Sequence, residues 1–267
     1  RRRFSDPEDV FFRVAERAAC VVADDYPTWF PALLNAAVPA KLNVRYEAVD
    51  SSCIVPMNLL DKREYAAYTI RPKIRRLLEK HLAPCPEPRV RRRWEGAPPE
   101  HHFEFREAQI PAIVASCEID HSVAPSLCFR GSRTEAEARL QAFLEKSLHR
   151  YAKERNQPAA HATSGMSPYL HFGRISALEI ALAAREYARE HRLIADEFLE
   201  ELIVRRELAF NFARHAKNPE SLANLPDWAR ATLVAHAKDA RTPCYTRAQF
   251  EQAQTHDALW NACQKEM

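Results

Sequence analysis

The chain has 267 residues, 46% of them hydrophobic, and a formal net charge of +3 with an isoelectric point near 8.5. This length and composition suffice for a buried core in one large domain or two smaller ones, and the mild positive charge is compatible with a polyanionic partner. With only four glycines the sequence contains no G-x-G-x-x-G or Walker A loop, which excludes the glycine-rich loops that hold phosphates. It also has no uninterrupted apolar run of about 20 residues, so we expect no membrane span and an intracellular, cytoplasmic location.

The cysteines give no sign of a disulfide framework or a metal site. They are odd in number, and neither a C-x-x-C pair nor a His/Cys spacing suited to zinc occurs among them. We therefore expect reduced thiols, most of them packed in the interior, and no metal. The seven are Cys20, Cys53, Cys85, Cys117, Cys128, Cys244 and Cys263.

The first predicted elements are two strands with a helix between them. ACVVADD (19–25) and VRYEAVD (44–50) are short apolar runs that end in aspartate, and WFPALLNAAV (29–38) has a helical pattern. This order is typical of a parallel sheet, where ligands bind near the carboxyl ends of the strands. The aspartates at those ends therefore have two open interpretations, ligand binding or capping of turns. They are Asp24, Asp25 and Asp50.

A basic helix is predicted next, over residues 63–82, with Pro72 expected to end or kink it. The proline-rich stretch 83–102 carries four arginines beside Trp94, which suits either a solvated loop or a nucleic-acid contact. Residues 103 to about 130 have the character of a connector, and we place a domain boundary near residue 126. The four arginines are Arg89, Arg91, Arg92 and Arg93.

The rest of the chain is predicted to be helical. A helix over 134–154 begins with a capping-box pattern, Thr134 and Glu137, and carries apolar residues at helical spacing. The sequence thus predicts an α/β domain with its connector over 1–125 and an all-α domain over 126–267. Further helices are expected near 177–190, 196–214, 227–238 and 246–267.

A cluster of hydroxyl side chains precedes two predicted helix starts in HATSGMSPYLHFGRISALE (161–179). Ser167 followed by Pro168 fits an N-cap, and Ser176 with Glu179 forms a second capping box. Hydroxyls and backbone N–H groups at a helix amino end favour an anion, so this segment predicts a phosphate site, with simple capping as the alternative. We interpret His171 as a packed or capping residue.

The predicted helix DEFLEELIVRRELAFNFAR (196–214) has charged pairs at an interval of four. Glu201 shares a face with Arg205, and Glu207 shares a face with Asn211. Exposed pairs of this kind are common, so a salt-bridged surface is one interpretation. The other is that Glu201 lines a cavity with Arg205 or Arg206.

Several segments resemble DNA photolyases, most closely the class II type that repairs cyclobutane pyrimidine dimers. The resemblance runs through nearly the whole chain, in matching order and spacing. The segments that carry it are VVADDYP, YEAVDSS, IDHSVAP, RYAKERNQP, TSGMSPYLHFGRIS, FLEELIVRRELAFNF, LPDWARATLVAHAKD and THDALWNACQKEM.

The resemblance implies an α/β plus all-α fold, with a Rossmann-like parallel sheet domain followed by a helical FAD-binding domain. It implies that Glu201 bonds to the damaged bases, and that Arg206 and Asn211 contact DNA. The residues implied to hold FAD are Tyr151, Thr163, Ser164, Gly165, Met166, Ser167 and Arg205.

The implied chemistry is light-driven repair of pyrimidine dimers. Reduced FAD absorbs blue or near-ultraviolet light and gives one electron to the dimer, whose cyclobutane ring then splits before the electron returns. The dimer must leave the duplex to be reached, and basic residues would hold the DNA phosphates. The implied partner is DNA that contains such dimers, bound by a monomer, and no antenna pigment is assigned.

The chain also departs from the family pattern. It starts inside the expected sheet domain and stops at Met267 before further expected helices, so we expect an incomplete sheet and a truncated helical domain. We expect Trp228 and Trp260 to pack in the core. Two alternatives to repair stay open, a cryptochrome-like flavin photoreceptor and a catalytically inert photolyase fragment.

Overall fold

The structure, a computed structural model, describes residues 10–86, 88–93, 95–97 and 106–266. Internal contacts divide the chain into two units, residues 1–217 and 218–267. The predicted boundary near residue 126 lies within the first unit, whose core joins residues on both sides of it. It stays a prediction.

The two predicted strands form a parallel pair. β1 (Cys20–Asp24) lies beside β2 (Arg45–Val49), with Cys20 opposite Arg45 and Asp24 opposite Val49. The short helix α1 (Val10–Ala15) precedes β1. Helix α2 (Trp29–Ala37) lies between β1 and β2 in the chain and makes the crossover. The predicted strand–helix–strand order is confirmed, and the carboxyl ends of both strands lie at one edge of the sheet.

Helix α3 (Ala67–His81) follows β2 and continues through Pro72. Of the two effects expected of Pro72, ending the helix is therefore wrong, and a kink stays a prediction. Pro72 is exposed, so water can bond to the carbonyl group that lacks an N–H partner there. After α3, the described residues of 83–97 form no helix or strand, and Arg89, Arg91, Arg92 and Arg93 are all exposed. Trp94 lies outside the described residues.

The described part of the connector, from residue 106, contains the short helix α4 (Ile110–Ala115) and then an exposed stretch as far as α5. The predicted helix over 134–154 is two helices, α5 (Arg133–Lys146) and α6 (Leu148–Glu154), because the backbone leaves the helical conformation at Ser147. The N-cap of α5 is Ser132, which accepts from the backbone N–H of Glu135, so the capping box predicted at Thr134 is wrong.

Helices α7 (Ser167–His171) and α8 (Ala177–His191) follow the hydroxyl cluster. The capping box at Ser176 and Glu179 is confirmed. The next helix has three parts in one run, α9 (Asp196–Leu199), a π-helical segment (Glu200–Arg205) and α10 (Arg206–His215). Such π-helical turns are rare and occur often at functional sites.

The core of the first unit joins α3, α5, α6, α8 and the α9–π–α10 run with the segment after β2. Three aromatic rings lie at its centre: Phe143 of α5, Tyr151 of α6 and Phe198 of α9, with centroids 4.7–5.8 Å apart. Edge-to-face ring packing of this kind adds to the gain from burial. The cluster fixes α6 against the helix that carries Glu201.

The second unit contains α11 (Asp227–Ala235), α12 (Arg247–Glu251) and α13 (Ala258–Glu266), so the helix predicted over 246–267 is two helices. Trp228 is 74% exposed, and Trp260 lies against Phe250 with 36% of its surface exposed. The expectation of two core tryptophans is therefore wrong.

All seven cysteines are free thiols, as expected, but five of them are exposed and none is fully buried, so the expectation of packing is wrong. Among the described residues no helix is long and apolar enough to cross a membrane. In the same residues no group of three His, Cys, Asp or Glu side chains is arranged to hold a metal ion.

Candidate functional site

Glu201 lies in the π-helical segment and forms an ion pair with Arg155. The Arg155 Nη1 and Glu201 Oε1 atoms are 2.7 Å apart, and 34% of the Glu201 side chain is exposed. Arg155 follows α6 directly, and its guanidinium also lies 5.8 Å from the Tyr151 ring centroid. The carboxylate is therefore neither buried in an apolar interior nor free in bulk solvent.

Tyr151 is the buried partner in this arrangement. Its ring packs edge-on against Phe198, and burial raises the pKa of its hydroxyl, with Arg155 acting in the opposite direction. Tyr151, Arg155 and Glu201 thus form one contiguous group on two packed elements. We call it the glutamate cluster.

The hydroxyl segment precedes α7 as predicted, but its capping differs. Ser167 is the first residue of α7 rather than its cap, and Met166 stands at the N-cap position. Ser164 Oγ accepts from the Met166 N–H at 3.4 Å. Thr163 and Ser167 are exposed and Ser164 is half-buried, so these hydroxyls are accessible to a ligand.

Gly165 has a φ of 63°, a left-handed conformation that favours glycine. A Cβ atom placed there would lie 3.5 Å from Arg139 Cδ and 3.6 Å from Arg139 Nη1. Arg139 stacks on the Phe129 ring at 4.6 Å, and its Nε is buried without a hydrogen-bond partner among the described residues. A basic side chain with an unsatisfied donor therefore lies beside the hydroxyl segment.

Arg205 belongs to a different set of contacts from the one predicted. It forms an ion pair with Glu200, with Nε and Oε1 4.0 Å apart, whereas Glu201 pairs with Arg155. Glu200 is held by Arg71 of α3 through hydrogen bonds of 2.7–3.1 Å, and the pKa of Glu200 is lowered chiefly by Arg71. A pair five residues apart is what the i→i+5 register of a π-helix brings together.

Glu207 and Asn211 of α10 face the interior, where they contact the segment between β2 and α3. Glu207 Oε1 accepts from the N–H groups of Ile54 and Val55 at 2.7 and 3.0 Å. Its Oε2 is buried without a partner among the described residues, and desolvation raises the pKa of Glu207 to about 7. The fully buried Asn211 accepts from the N–H of Glu64 at 2.6 Å.

These contacts bear on the two DNA contacts that the resemblance implied. Asn211 also donates to the carbonyl of Lys62 at 3.1 Å, so both ends of its amide are committed inside the protein. Arg206 Nη1 donates to the Ser52 carbonyl at 2.5 Å, and its guanidinium lies over the Phe210 ring at 4.6 Å. Both side chains thus make contacts inside the protein, and the two DNA contacts stay predictions.

The strand-end aspartates hold local backbone and one helix. Asp50 accepts from the N–H groups of Ser52, Cys53 and Met57, which is the turn-capping role. Asp24 accepts from the Ser51 hydroxyl at 2.8 Å. Asp25 pairs with Arg214 of α10 at 2.8 Å.

A hollow of about 590 Å³ lies at this edge of the sheet, between the strand ends and helices α5, α7, α8 and α10. Of the predicted site residues, Ser167 and Arg206 line it. His171 is exposed and also lines it, so it is not packed; it is the last residue of α7, and its capping role stays a prediction. Other polar residues of the lining are Asp24, Ser51, Ser52, Arg133, Ser176 and Glu179.

Sequence reasoning missed three residues that the structure places at or beside the site. Arg155 stands four positions after Tyr151, an interval that could have suggested a shared face. Arg139 and Arg71 reach the site from other helices, so no local signal could have identified them.

No protein-family model matches the chain. Curated proteins named deoxyribodipyrimidine photo-lyase are similar to it. That of Methanothermobacter thermautotrophicus is 38% identical over 264 residues, which is 98% of this chain and 56% of that protein. The protein of Oryza sativa subsp. japonica is 39% identical over 84% of this chain and 44% of its own length, and that of Arabidopsis thaliana is 38% identical over 82% and 45%. The chain spans about half the length of these curated relatives.

Proposed function

Since the chain belongs to the deoxyribodipyrimidine photo-lyase family, we propose that it takes part in light-driven repair of cyclobutane pyrimidine dimers in DNA, as a lyase of the class II type with reduced FAD. The division into an α/β domain and a helical FAD-binding domain belongs to this proposal, as do the monomeric state and the cytoplasmic location.

The hydroxyl segment has the chemistry that a flavin dinucleotide requires of its diphosphate site. Thr163, Ser164 and Ser167 offer hydroxyl donors, Gly165 permits close approach of the backbone, and Arg139 supplies positive charge nearby. These residues would hold the diphosphate, and Tyr151 would contact the rest of the cofactor. When bound, reduced FAD supplies the photoexcited electron that opens the cyclobutane ring.

The observation that carries the proposal is the half-exposed Glu201 carboxylate held by Arg155. A carboxylate has two acceptor oxygens, so it can keep its ion pair and also accept from the ring N–H of a thymine. Arg155 restricts the side chain to one position, and the π-helical turn presents it at the surface. Glu201 would thereby orient the dimer once the dimer has left the DNA stack.

The proposal is tested by illumination of the reduced, FAD-supplemented chain with dimer-containing oligothymidylate. Repair regenerates the thymine 5,6 double bonds, so ultraviolet absorbance should rise under blue or near-ultraviolet light and stay constant in the dark. Flavin fluorescence reports separately whether the cofactor is bound. A chain that binds FAD and yet restores no absorbance, or restores it equally in the dark, contradicts the proposal.

A further inference from the structure

Glu200 lies among three arginines that come from two elements. Arg71 of α3 donates bidentate hydrogen bonds to the Glu200 carboxylate. The Nε atom of Arg205 lies 4.0 Å from Glu200 Oε1. The pKa of Glu200 is lowered chiefly by Arg71. The positive charge of Arg75, one helical turn after Arg71, lowers it further. We call Arg71, Arg75 and Arg205 the arginine patch.

The patch carries more positive charge than its own carboxylate balances. Two guanidinium groups, those of Arg71 and Arg205, lie within 4.0 Å of the Glu200 carboxylate, and the charge of Arg75 also acts on it, so three positive charges face one negative charge. Arg71 is committed to Glu200, but Arg75 is exposed and 54% of the Arg205 side chain is exposed. The surplus charge is therefore available to an anion from outside.

An exposed aromatic side chain continues the same face of α3. Tyr68 precedes Arg71 by three residues and Arg75 by seven, the spacing that aligns side chains along one side of a helix. It is 63% exposed, and its hydroxyl donates to that of Tyr65 at 2.9 Å. A basic strip with an exposed aromatic residue beside it suits a sugar-phosphate backbone more than a small anion.

The patch lies next to the glutamate cluster. Glu200 and Glu201 are consecutive, so their Cα atoms are about 3.8 Å apart and their side chains leave the π-helical segment on neighbouring faces. Arg155 holds Glu201, and the patch holds Glu200. An anion bound at the patch is therefore within a few nucleotide spacings of a base that contacts Glu201.

The simpler explanation for these charges is a structural ion pair that holds α3 against the π-helical segment. It accounts for Arg71, which meets Glu200 with good geometry. It does not require Arg75 and Arg205, because Arg71 alone already contacts both oxygens of the carboxylate and exposed ion pairs contribute little to stability.

We propose that the arginine patch, with Tyr68 beside it, binds the backbone phosphates of the DNA strand that flanks the pyrimidine dimer. This inference rests on the proposed function and moves the phosphate contact from α10 to α3 and the π-helical segment. Glu200 keeps Arg71 in place and so fixes the orientation of the strip. The patch contacts phosphate groups and no bases, so it binds undamaged duplex DNA as well.

The test compares Arg75→Gln and Arg205→Gln with the parent chain and with Arg185→Gln, which removes an exposed arginine of α8 outside the patch. Binding of fluorescein-labelled duplex, with and without one thymine dimer, is followed by anisotropy between about 50 and 200 mM salt. Each lost phosphate contact should lower the slope of log affinity against log salt by about 0.9. Circular dichroism checks that each variant is folded.

We expect Arg75→Gln and Arg205→Gln to weaken binding of both duplexes several-fold and to reduce the salt slope, while Arg185→Gln matches the parent. Equal affinities and slopes for all four proteins would overturn the inference, as would a parent chain that binds neither duplex. Failure of the proposed function has a different signature, namely patch-dependent DNA binding without light-dependent repair.

Discussion

The Oε1 atom of Glu207 accepts the backbone N–H of Ile54 at 2.7 Å, although 153 positions separate the two residues in the chain. Together with the Asn211 contacts to Lys62 and Glu64, this bond sets the α9–π–α10 run against the segment between β2 and α3. The same run carries Glu201, so the placement of Glu201 depends on these buried polar groups.

The first prediction concerns pH and Glu207. Desolvation raises the pKa of Glu207 from 4.5 to about 7, so the native chain holds this proton more tightly than the unfolded chain does. The stabilising contribution is complete below pH 4.5 and is lost as pH rises through 7. A shift of this size corresponds to about 3 kcal/mol in the free energy of unfolding.

Glu207→Gln keeps an acceptor oxygen for Ile54 and Val55 and removes the titration. Relative to the parent, the variant should therefore gain free energy of unfolding as pH rises, measured by urea denaturation at several pH values. The matched control is Glu190→Gln at an exposed position of α8, which should follow the parent. An unchanged pH dependence in Glu207→Gln would show that this carboxyl does not titrate as described.

The second prediction concerns Asn211, whose amide is fully buried and bonded at both ends. Asn211→Ala leaves the Glu64 N–H and the Lys62 carbonyl without partners, which should lower the free energy of unfolding by about 3 kcal/mol. Asn58→Ala, at an exposed position, should change it by less than about 0.5 kcal/mol. Similar losses in the two variants would argue against the buried bonds.

The third prediction separates stability from activity at Arg155. Its ion pair with Glu201 is partly exposed, so Arg155→Gln should lower the free energy of unfolding by less than about 1 kcal/mol. Repair should nevertheless slow, because Glu201 loses the group that holds it. Arg155→Lys should recover part of the rate, since it restores the charge without the fork. A repair rate unaffected by Arg155→Gln would remove the positioning role.

The fourth prediction concerns Gly165, at a φ of 63°. An alanine Cβ would make only ordinary contact with Arg139, so the cost of Gly165→Ala comes from the backbone conformation and should be about 1–2 kcal/mol. Flavin affinity, measured by fluorescence, should fall as the segment shifts. Gly131→Ala has open space around it and should change neither quantity. Equal flavin affinity in both variants would contradict the diphosphate assignment.

Local chemistry allowed part of the fold to be predicted. Short apolar runs that end in aspartate identified β1 and β2, and the Ser176–Glu179 pair identified the start of α8. Ser132 and Thr134 each stand three residues before a glutamate at the start of α5, so the pattern alone could not choose between them, because the choice depends on where the preceding chain turns.

Contacts between residues far apart in the sequence could not be predicted from the local residue pattern. The sequence placed Glu207 and Asn211 on one face of a helix, but it did not reveal that this face is buried against residues 54–64. The π-helical register was equally hidden, since the apolar spacing fits an ordinary α-helix, and it is this register that pairs Arg205 with Glu200. Glu201 was identified by family resemblance, and its partner Arg155 by the structure alone.

The central claim, that the Glu201 carboxylate acts on the dimer, is tested most directly by the rate of light-driven dimer repair in Glu201→Gln. Glu197→Gln, an exposed position on the same helical run, is the control. With equal flavin content in all proteins, the account predicts slower repair in Glu201→Gln, an unchanged rate in Glu197→Gln and no repair in the dark. A Glu201→Gln chain that repairs dimers as fast as the parent would contradict it.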